Sequence, residues 1–284
     1  MSPNDVDSDQ EPVWSWDPSL YAGSAAHYDA GRVTYPAALV DVVVRALRLD
    51  GSGRLLDVGC GPGSLTLLFA PHFELAIGLD PDADMLSEAA RLAEQKQVTH
   101  VAWRQLRGED LPANLPPARL VTFAQSLHWM DRHQVASAAR ALLAPGGALA
   151  HVHATTHQGI DADALLPHPR PPRAAITELV KHYLGPQTRA GQGVLPARTP
   201  GGEDEVYRAV GFTSRQRMEV AGRAVERTAD QVVSSIYSLS SAAPHLFGER
   251  LKDFDSDLRR LLAGVSAEGL FSEQMGDITV DIWR

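Results

Sequence analysis

The residues best suited to bind a ligand lie in a glycine-rich turn at positions 59–63. An apolar run at 55–58 precedes this turn, and a helical pattern follows it. Gly59 and Gly61 can adopt a positive φ, and because they lack a Cβ they let a ligand approach the main chain. Amides at the start of the helix can hold a polar group of that ligand. The turn suits a nucleotide cofactor, a dinucleotide included, but the same pattern also occurs as a purely structural turn.

A carboxylate follows at the end of the next apolar run, where Ala76-Ile77-Gly78-Leu79-Asp80 predicts a second strand. In dinucleotide folds, an acidic side chain at this place accepts hydrogen bonds from the ribose hydroxyls. Alternatively, Asp80 only caps the helix that begins near Asp82. Its position and its spacing from the glycine turn favour the ribose contact.

Two histidines are candidates for proton transfer. His128 and His153 fall at the carboxyl ends of two neighbouring predicted strands, the edge where open α/β sheets bind their ligands. Near neutral pH, a histidine can remove a proton from an acceptor atom, so we predict both as catalytic general bases. The spacing of His151, His153 and His157 is not supported by an HExxH motif or a carboxylate triad, and we predict no metal site.

The pattern of apolar residues predicts the elements that position these side chains. From residue 34 to about residue 143, short apolar runs alternate with helical periodicity, which indicates an α/β fold with a parallel sheet. We predict strands at 54–58, 74–80, 98–103, 119–124 and 148–153 and helices at 64–69, 82–94 and 131–143. Later predicted elements are helices at 174–184, 229–239 and 249–262 and a strand within 277–284. This last strand is expected to close the sheet.

The composition changes along the chain and divides it into four parts. The parts are a flexible N-terminal segment or lid (1–27), a nucleotide-fold core (28–153), an acceptor-binding cap that also completes the sheet (154–264), and a closing C-terminal strand (265–284). The first part begins with an acidic stretch without basic residues, which favours a solvated and mobile chain. The third contains long loops rich in Pro, Gly and His, and loops of that length usually serve as lids or binding segments.

Composition and charge exclude several classes of protein. The 284 residues are 44% hydrophobic, which is enough to bury a core. A formal net charge of −9 disfavours binding to nucleic acid. The N-terminal residues do not resemble a signal peptide, and no later apolar run is long enough to span a membrane, so we expect a cytoplasmic protein. The single cysteine, Cys60, excludes an internal disulfide framework.

In combination, the motifs resemble those of the class I S-adenosylmethionine-dependent methyltransferases, in the branch with small-molecule acceptors. The similar segments are Asp57-Val58-Gly59-Cys60-Gly61-Pro62-Gly63, Asp80-Pro81 with Met85, Gly108-Glu109-Asp110-Leu111-Pro112, Phe123-Ala124-Gln125-Ser126-Leu127-His128-Trp129, Leu143-Ala144-Pro145-Gly146-Gly147, and Tyr28, Arg32 and Tyr35-Pro36 before the fold. The resemblance covers roughly residues 28–152. It implies a Rossmann-like, mostly parallel seven-stranded sheet with helices on both faces and a C-terminal helical cap or lid.

The same resemblance implies that S-adenosyl-L-methionine is the cofactor and that S-adenosyl-L-homocysteine is the product. The cofactor-binding residues that it implies are Asp57, Gly59, Cys60 and Gly61 in the turn, Asp80 at the ribose, Pro81 and Met85 against the adenine, Gly108, Glu109 and Asp110 at the adenine edge, and Gln125 and Ser126 beside the methionine part. Tyr28 and Arg32 are implied to reach the cofactor carboxylate, although the residues alone indicate only a solvated arginine for Arg32. Arg107 departs from the family pattern, which often has an Asp near the adenine amino group.

The reaction implied by the resemblance is direct in-line displacement of the methyl group onto a small-molecule acceptor. The protein would hold the acceptor atom at attacking distance and exclude water. Cys60 is interpreted as a packing residue, because this transfer needs no covalent intermediate on the enzyme. We expect a monomer or a homodimer. Two alternatives are a nicotinamide-dependent oxidoreductase, for which no Tyr-x-x-x-Lys pair is found, and a non-catalytic protein that binds an adenosyl ligand.

Overall fold

The structure, a computed structural model, describes residues 16–190, 193–194 and 202–284 of the chain. The strands are β1 (Arg54–Val58), β2 (Leu75–Asp80), β3 (Val101–Gln105), β4 (Ala118–Ala124), β5 (Leu143–His153), β6 (Arg189–Ala190), β7 (Gly193–Val194), β8 (Arg215–Val220), β9 (Ala224–Thr228), β10 (Leu270–Gln274) and β11 (Ile278–Trp283). The helices are α1 (Ala25–Gly31), α2 (Ala37–Leu47), α3 (Ser64–Phe69), α4 (Ala83–Gln95), α5 (Arg132–Ala141), α6 (Arg173–Leu184), α7 (Glu203–Ala209), α8 (Ala229–Tyr237), α9 (Pro244–Phe247) and α10 (Leu251–Val265).

A seven-stranded sheet in the order β3-β2-β1-β4-β5-β11-β8 forms the centre of the molecule. Strands β1 to β5 are parallel, and β11 runs antiparallel to both of its neighbours. The predicted mostly parallel, seven-stranded Rossmann-like sheet is therefore confirmed. The predicted strand ends shift by a few residues, most at β5, which begins five residues earlier than expected, at Leu143.

The core lies on both faces of this sheet, because parallel strands are buried from both sides. On one face, Leu55 and Ile282 pack with Leu39 of α2 and Phe69 of α3. On the other face, the sheet packs against α5 and α7, and Trp283 is fully buried among them. The carboxyl ends of β1, β2 and β4 are thereby held rigidly at one edge.

Strand β8 is absent from the elements predicted from the sequence. Its residues, Arg-Gln-Arg-Met-Glu-Val, are mostly charged or polar, and all but Met218 and Val220 are exposed. A strand at the edge of a sheet tolerates such a pattern, because only one side of it is paired. The small sheet of β9 and β10 lies outside the main sheet and was also not predicted.

Helices α6, α8, α9 and α10 form a second apolar core, which we call the cap. Phe247 and Phe254 stack with ring centroids 4.1 Å apart and pack with α6, α8 and α10. Helix α1 lies directly on this cap, since a Cβ added at Gly31 would approach the carbonyl oxygen of Ser234 to 2.4 Å. The segment from Trp16 to α1 is also packed, and Leu20 has no exposed surface.

A buried ion cluster joins the cap to α1 and to the small sheet of β9 and β10. Glu273 of β10 accepts two hydrogen bonds from Arg173, at 3.0 and 2.8 Å, and one from Arg227 at 3.2 Å. Arg227 also donates to the carbonyl oxygens of Gly31, at 2.5 Å, and Gln231, at 2.9 Å. Burial raises the pKa of Glu273, but the Arg173 guanidinium outweighs it and holds that pKa below its ordinary value. The cluster fixes the end of α1, and with it the residue that follows, Arg32.

None of the helices in the described part of the chain has the length and apolar character needed to cross a membrane.

Candidate cofactor and acceptor site

A cavity opens at the carboxyl ends of β1, β2 and β4, beneath the segment that runs from Trp16 to Tyr35. The residues predicted from sequence that line it are Tyr28, Arg32, Asp57, Gly59, Cys60, Gly61, Asp80, Pro81, Met85, Gly108, Glu109, Gln125 and Ser126. Three predicted residues, Asp110, His128 and His153, are not part of its described wall. The fold therefore brings most of the predicted binding residues together around one space.

The glycine turn after β1 needs its glycines for two different reasons. Gly59 and Gly61 have φ values of +70° and +53°, which other residues rarely adopt. A Cβ at Gly59 would lie 2.4 Å from the Cβ of Ser126 and 2.9 Å from Cε of Met130, so a side chain does not fit there. A Cβ at Gly61 would meet no protein atom within 4 Å, so the main chain here is open to a ligand.

Asp57 braces the turn from below. Its two carboxylate oxygens accept hydrogen bonds from the hydroxyls of Thr66, at 2.6 Å, and Thr122, at 2.7 Å. Burial raises the pKa of Asp57, and these hydroxyls partly offset that rise. Ser126 ties β4 to β1 in the same way, because its hydroxyl donates to the carbonyl oxygen of Val58 at 2.6 Å. Asp57 and Ser126 thus hold β1, α3 and β4 in fixed relation at the cavity floor.

Asp80 connects the turn to the end of β2. Its carboxylate accepts a hydrogen bond from the Gly61 amide at 2.8 Å and one from the Asp82 amide at 3.0 Å. The cap of α4 is Asp82, whose side chain accepts from the amides of Asp84 and Met85. The alternative role of Asp80 as the helix cap is therefore wrong. Burial raises the pKa of Asp80 to about 6, so the carboxylate is ionised at neutral pH.

One end of the cavity is formed by Pro81, Met85, Gly108 and Glu109. Met85 is buried and presents an apolar surface, and Glu109 accepts a hydrogen bond from the Asp131 amide at 3.0 Å. Asp110 was predicted to bind the adenine edge, but it is exposed outside the wall. The 3-10 turn Gly108–Asp110 directs its carboxylate back toward its own backbone, where it accepts from the Arg107 amide at 3.3 Å.

Arg32 and Tyr28 lie at another part of the wall. The Nε and Nη2 atoms of Arg32 donate to the hydroxyl and the carbonyl of Ser238, at 2.8 and 2.9 Å. The guanidinium carbon lies 4.6 Å from the centre of the Tyr28 ring, within cation–π range. Arg32 is therefore held in place by the cap and is not a freely solvated loop arginine.

Comparison with known proteins identifies the domain that carries this cavity. Residues 55–147 match the sequence model of a family described as a methyltransferase domain. We call these residues the methyltransferase domain, after the family whose model they match. The probable S-adenosylmethionine-dependent methyltransferase CRG1 of Saccharomyces cerevisiae is 30% identical over 128 residues, which cover 44% of this chain and 44% of that protein. A trans-aconitate 2-methyltransferase of Methylobacterium nodulans is 40% identical over 121 residues, which cover 41% of this chain and 43% of that protein.

Among solved structures, a proposed type II methyltransferase from Anaeromyxobacter dehalogenans has the same fold, with a TM-score of 0.50 and 21% sequence identity. The alignment covers 88% of this chain and 95% of that one. The chain spans less than half the length of the curated relatives just named.

S-adenosylmethionine is the cofactor of this family, and the cavity of the methyltransferase domain fits it. The main chain at Gly61 is open to a ligand, because a Cβ built there would have no protein atom within 4 Å. Asp80 adds a buried carboxylate beside that room, and carboxylate oxygens accept hydrogen bonds from hydroxyl groups. Gln125 lines the same space in a left-handed conformation, with φ of +59°, a strained backbone of the kind that clusters at binding sites.

Cys60 packs within the turn of the methyltransferase domain. A Cβ at Gly78 would lie 2.9 Å from its sulfur, and the cysteine is buried. Burial and the neighbouring carboxylates Asp80 and Asp57 raise the pKa of the thiol well above its ordinary value. A thiol that stays protonated is a poor nucleophile, which agrees with the packing role inferred from the sequence.

The two histidines predicted as general bases lie behind the cavity wall. His128 packs its ring against Trp129, with centroids 4.9 Å apart, and burial lowers its pKa to about 4. His153 stacks on His151 at 4.2 Å, and its Nε2 atom lies 3.5 Å from the Asp281 carboxylate. Side chains alternate along a strand, so His151 and His153 share the sheet face that packs against α5 and α7. Their assignment as site residues is not supported by this geometry.

The described wall also contains aromatic residues that no local motif marks. Tyr21 and Trp129 meet edge to face, with centroids 6.3 Å apart and planes at 83°. Trp16 and Leu20 line the cavity beside them. Trp129 is the last residue of the motif at 123–129, whereas Tyr21 comes from a distant segment that only the fold brings to the site.

Within the described ranges, no group of three or more histidine, cysteine, aspartate or glutamate side chains is arranged to hold a metal ion.

Proposed function

We propose that this chain is an S-adenosylmethionine-dependent methyltransferase that acts on a small-molecule acceptor by direct in-line displacement. The observation that carries the proposal is the hydrogen bond, 2.8 Å long, between the Gly61 amide and the Asp80 carboxylate at the cavity of a methyltransferase domain. It joins the two groups that a bound adenosyl ligand requires, an open glycine main chain and a ribose acceptor.

The wall supplies a partner for each part of the cofactor. Asp80 accepts from the ribose hydroxyls with the lone pairs that the Gly61 and Asp82 amides leave free. Pro81 and Met85 pack on the adenine. Arg32, held by Ser238, offers a charge-assisted hydrogen bond to the carboxylate of the methionine part.

Bound S-adenosylmethionine supplies an electrophilic methyl group on a sulfonium. The chain's own contribution is to fix the ligand and the acceptor and to exclude water from between them. Leu20 and Tyr21 cover the cavity, and Leu20 is fully buried, so the described N-terminal segment acts as its roof. We assign no proton transfer to His128 or His153, because both lie outside the described wall.

A small acceptor agrees with the acidic charge of the chain. The net charge of −9 disfavours a nucleic acid. The trans-aconitate 2-methyltransferase of Methylobacterium nodulans, by its name, methylates a small organic acid. Comparisons with known proteins do not favour either alternative, the oxidoreductase or the non-catalytic binding protein.

The test is transfer of a radiolabelled methyl group from S-adenosylmethionine to a panel of metabolites that includes acids, phenols and amines. We expect label in a small extractable product, together with S-adenosylhomocysteine in equal amount. The Asp80→Ala variant should lose most of the transfer, whereas Asp84→Ala, an exposed change in the first turn of α4, should keep it. Tight binding of S-adenosylmethionine without transfer to any acceptor would contradict the proposal and would indicate a binding protein.

A further inference from the structure

One part of the cavity is not used by the cofactor contacts proposed above. It consists of Trp16, Tyr21 and Trp129, which we call the aromatic wall. Tyr21 presents its ring edge to face with Trp129, at 6.3 Å between centroids. His128 packs against Trp129 with a centroid distance of 4.9 Å. The contacts with Tyr21 and His128 fix the position of the Trp129 ring before any ligand binds.

The aromatic wall lines the same cavity as Asp80 and Arg32, the two groups assigned to the cofactor. Burial is the main cause that raises the pKa of Tyr21, and Asp80 raises it further while Arg32 lowers it. Tyr21 therefore lies within electrostatic range of both groups, which we have assigned to the ribose and to the carboxylate of the cofactor. The transferable methyl group lies between those two parts of the molecule. An acceptor held on Tyr21 and Trp129 would therefore lie in the same cavity as that methyl group.

The charged residues that line the cavity limit the charge that the acceptor can carry. Among the described lining residues, the cationic side chains are Arg32 and Arg107. Arg32 already donates to Ser238, and Arg107 pairs with Glu109 at 3.5 Å. The carboxylates that line the same cavity are Asp29, Asp57, Asp80 and Glu109. A ligand with several negative charges would meet net repulsion here, whereas a flat aromatic ligand would find ring surfaces to pack on.

We propose that the aromatic wall is the acceptor subsite and that it selects a planar aromatic acceptor with at most one negative charge, stacked against Trp129. This inference rests on the proposed function and narrows its acceptor class. It separates the chain from an enzyme for a tricarboxylic acid such as trans-aconitate, although the methyltransferase domains are similar. Trp129 is a specificity-determining residue, while His128 positions it from behind.

A competing role for the same rings is to hold the sulfonium by cation–π contact, which aromatic faces also favour. The two roles predict that removal of the ring lowers the affinity for different ligands. A ring that contacts the acceptor affects acceptor binding and leaves the cofactor unchanged. A ring that holds the sulfonium affects S-adenosylmethionine, which is positively charged at sulfur, more than S-adenosylhomocysteine, which is neutral there.

The test uses the full chain saturated with S-adenosylhomocysteine and two probes, 2-naphthol and trans-aconitate, titrated by calorimetry. We expect 2-naphthol to bind and trans-aconitate to show no heat and no competition. Trp129→Ala should weaken 2-naphthol binding by about tenfold, in the range measured for aromatic contacts. Trp129→Phe should restore most of the affinity, since it retains a ring. The affinity for the two cofactor forms should change equally little in both variants.

Several results would overturn the assignment. These are tighter binding of trans-aconitate than of 2-naphthol, absence of 2-naphthol binding to the loaded wild-type chain, unchanged 2-naphthol affinity in Trp129→Ala, and a selective loss of S-adenosylmethionine affinity in that variant. Failure of the wild-type chain to bind S-adenosylhomocysteine in the first step would instead contradict the proposed function itself. Near-ultraviolet circular dichroism of each variant checks that the fold is retained.

Discussion

The cofactor end of the cavity and its aromatic wall are built in different ways. The cofactor end uses glycine main chain and buried carboxylates at the ends of neighbouring strands, and its hydrogen bonds are satisfied within the core. The aromatic wall uses side chains from the N-terminal segment and from the turn after β4, and its roof depends on the cap. In the proposed account, the first half serves a cofactor that many enzymes share, and the second half serves a particular acceptor.

The largest effect on stability is expected from breaking the ion cluster that joins the cap to α1 and to the small sheet of β9 and β10. Glu273→Ala leaves Arg173 and Arg227 without their buried partner, and breaking such a cluster typically costs about 3–5 kcal/mol of unfolding free energy. Denaturant unfolding should show this loss. Glu226→Ala is the control, because that carboxylate is 65% exposed and its removal should be nearly neutral. Equal stability of the two variants would contradict a cap held by the cluster.

A smaller effect is expected at the cofactor end itself. Asp80→Ala removes a charged acceptor, and hydrogen bonds to charged groups contribute about 1.5–3 kcal/mol, so cofactor affinity should fall by roughly ten- to a hundredfold. Calorimetry with S-adenosylhomocysteine measures the loss. The same titration on Trp129→Phe should give an affinity close to the wild type. If both variants bound equally well, the division of the cavity into two halves would be wrong.

The hydrogen bonds of Asp57 beneath the glycine turn should contribute more to the stability of the fold than the contacts to the cofactor do. Thr122→Val leaves one buried oxygen of Asp57 unsatisfied, which should cost about 1–2 kcal/mol of unfolding free energy. Thr122→Ser retains the hydroxyl and should restore most of that loss. Thermal unfolding of both variants provides the measurement. Indistinguishable midpoints for the two variants would show that the hydroxyl of Thr122 does not brace Asp57.

The smallest effect concerns pH. Burial raises the pKa of Asp80 to about 6, and ribose hydroxyls donate stronger hydrogen bonds to its ionised form. The bound state therefore keeps Asp80 ionised to lower pH than the free protein does, and binding releases a proton below about pH 6. Affinity for S-adenosylhomocysteine should be flat above this pH and fall by up to about tenfold per pH unit below it. Asp80→Asn should remove this dependence, and a slope of equal size in that variant would assign it to another group.

Much of the cofactor end could be predicted from the sequence because its residues follow one another on consecutive strands. Gly59, Gly61 and Asp80 lie at the ends of β1 and β2, so strand order alone places them together. The exposed position of Asp110 could not be predicted, because the direction of a side chain in a 3-10 turn cannot be read from a motif. The histidine prediction placed His153 at the correct edge but could not tell which face of the sheet its side chain takes.

The acceptor half could not be predicted, because distant segments assemble it. No pattern near Tyr21 indicates that its ring meets Trp129, and that contact exists only once α1 has packed on the cap. Strand β8 escaped prediction for a related reason, since its polar edge position lacks the apolar alternation that marks a strand. Residues 191–192 and 195–201, within the predicted cap, and residues 1–15, within the predicted lid, lie outside the described residues.

The most direct test of the central claim is a crystal structure of the full chain with S-adenosylhomocysteine. We expect both ribose hydroxyls within about 2.6–3.0 Å of the Asp80 carboxylate, the usual range for such hydrogen bonds, and the ligand against the main chain of Gly61. The amino-acid part should lie toward Arg32, with the thioether sulfur facing Trp129. A ligand bound elsewhere, or a ribose that does not contact Asp80, would contradict the account.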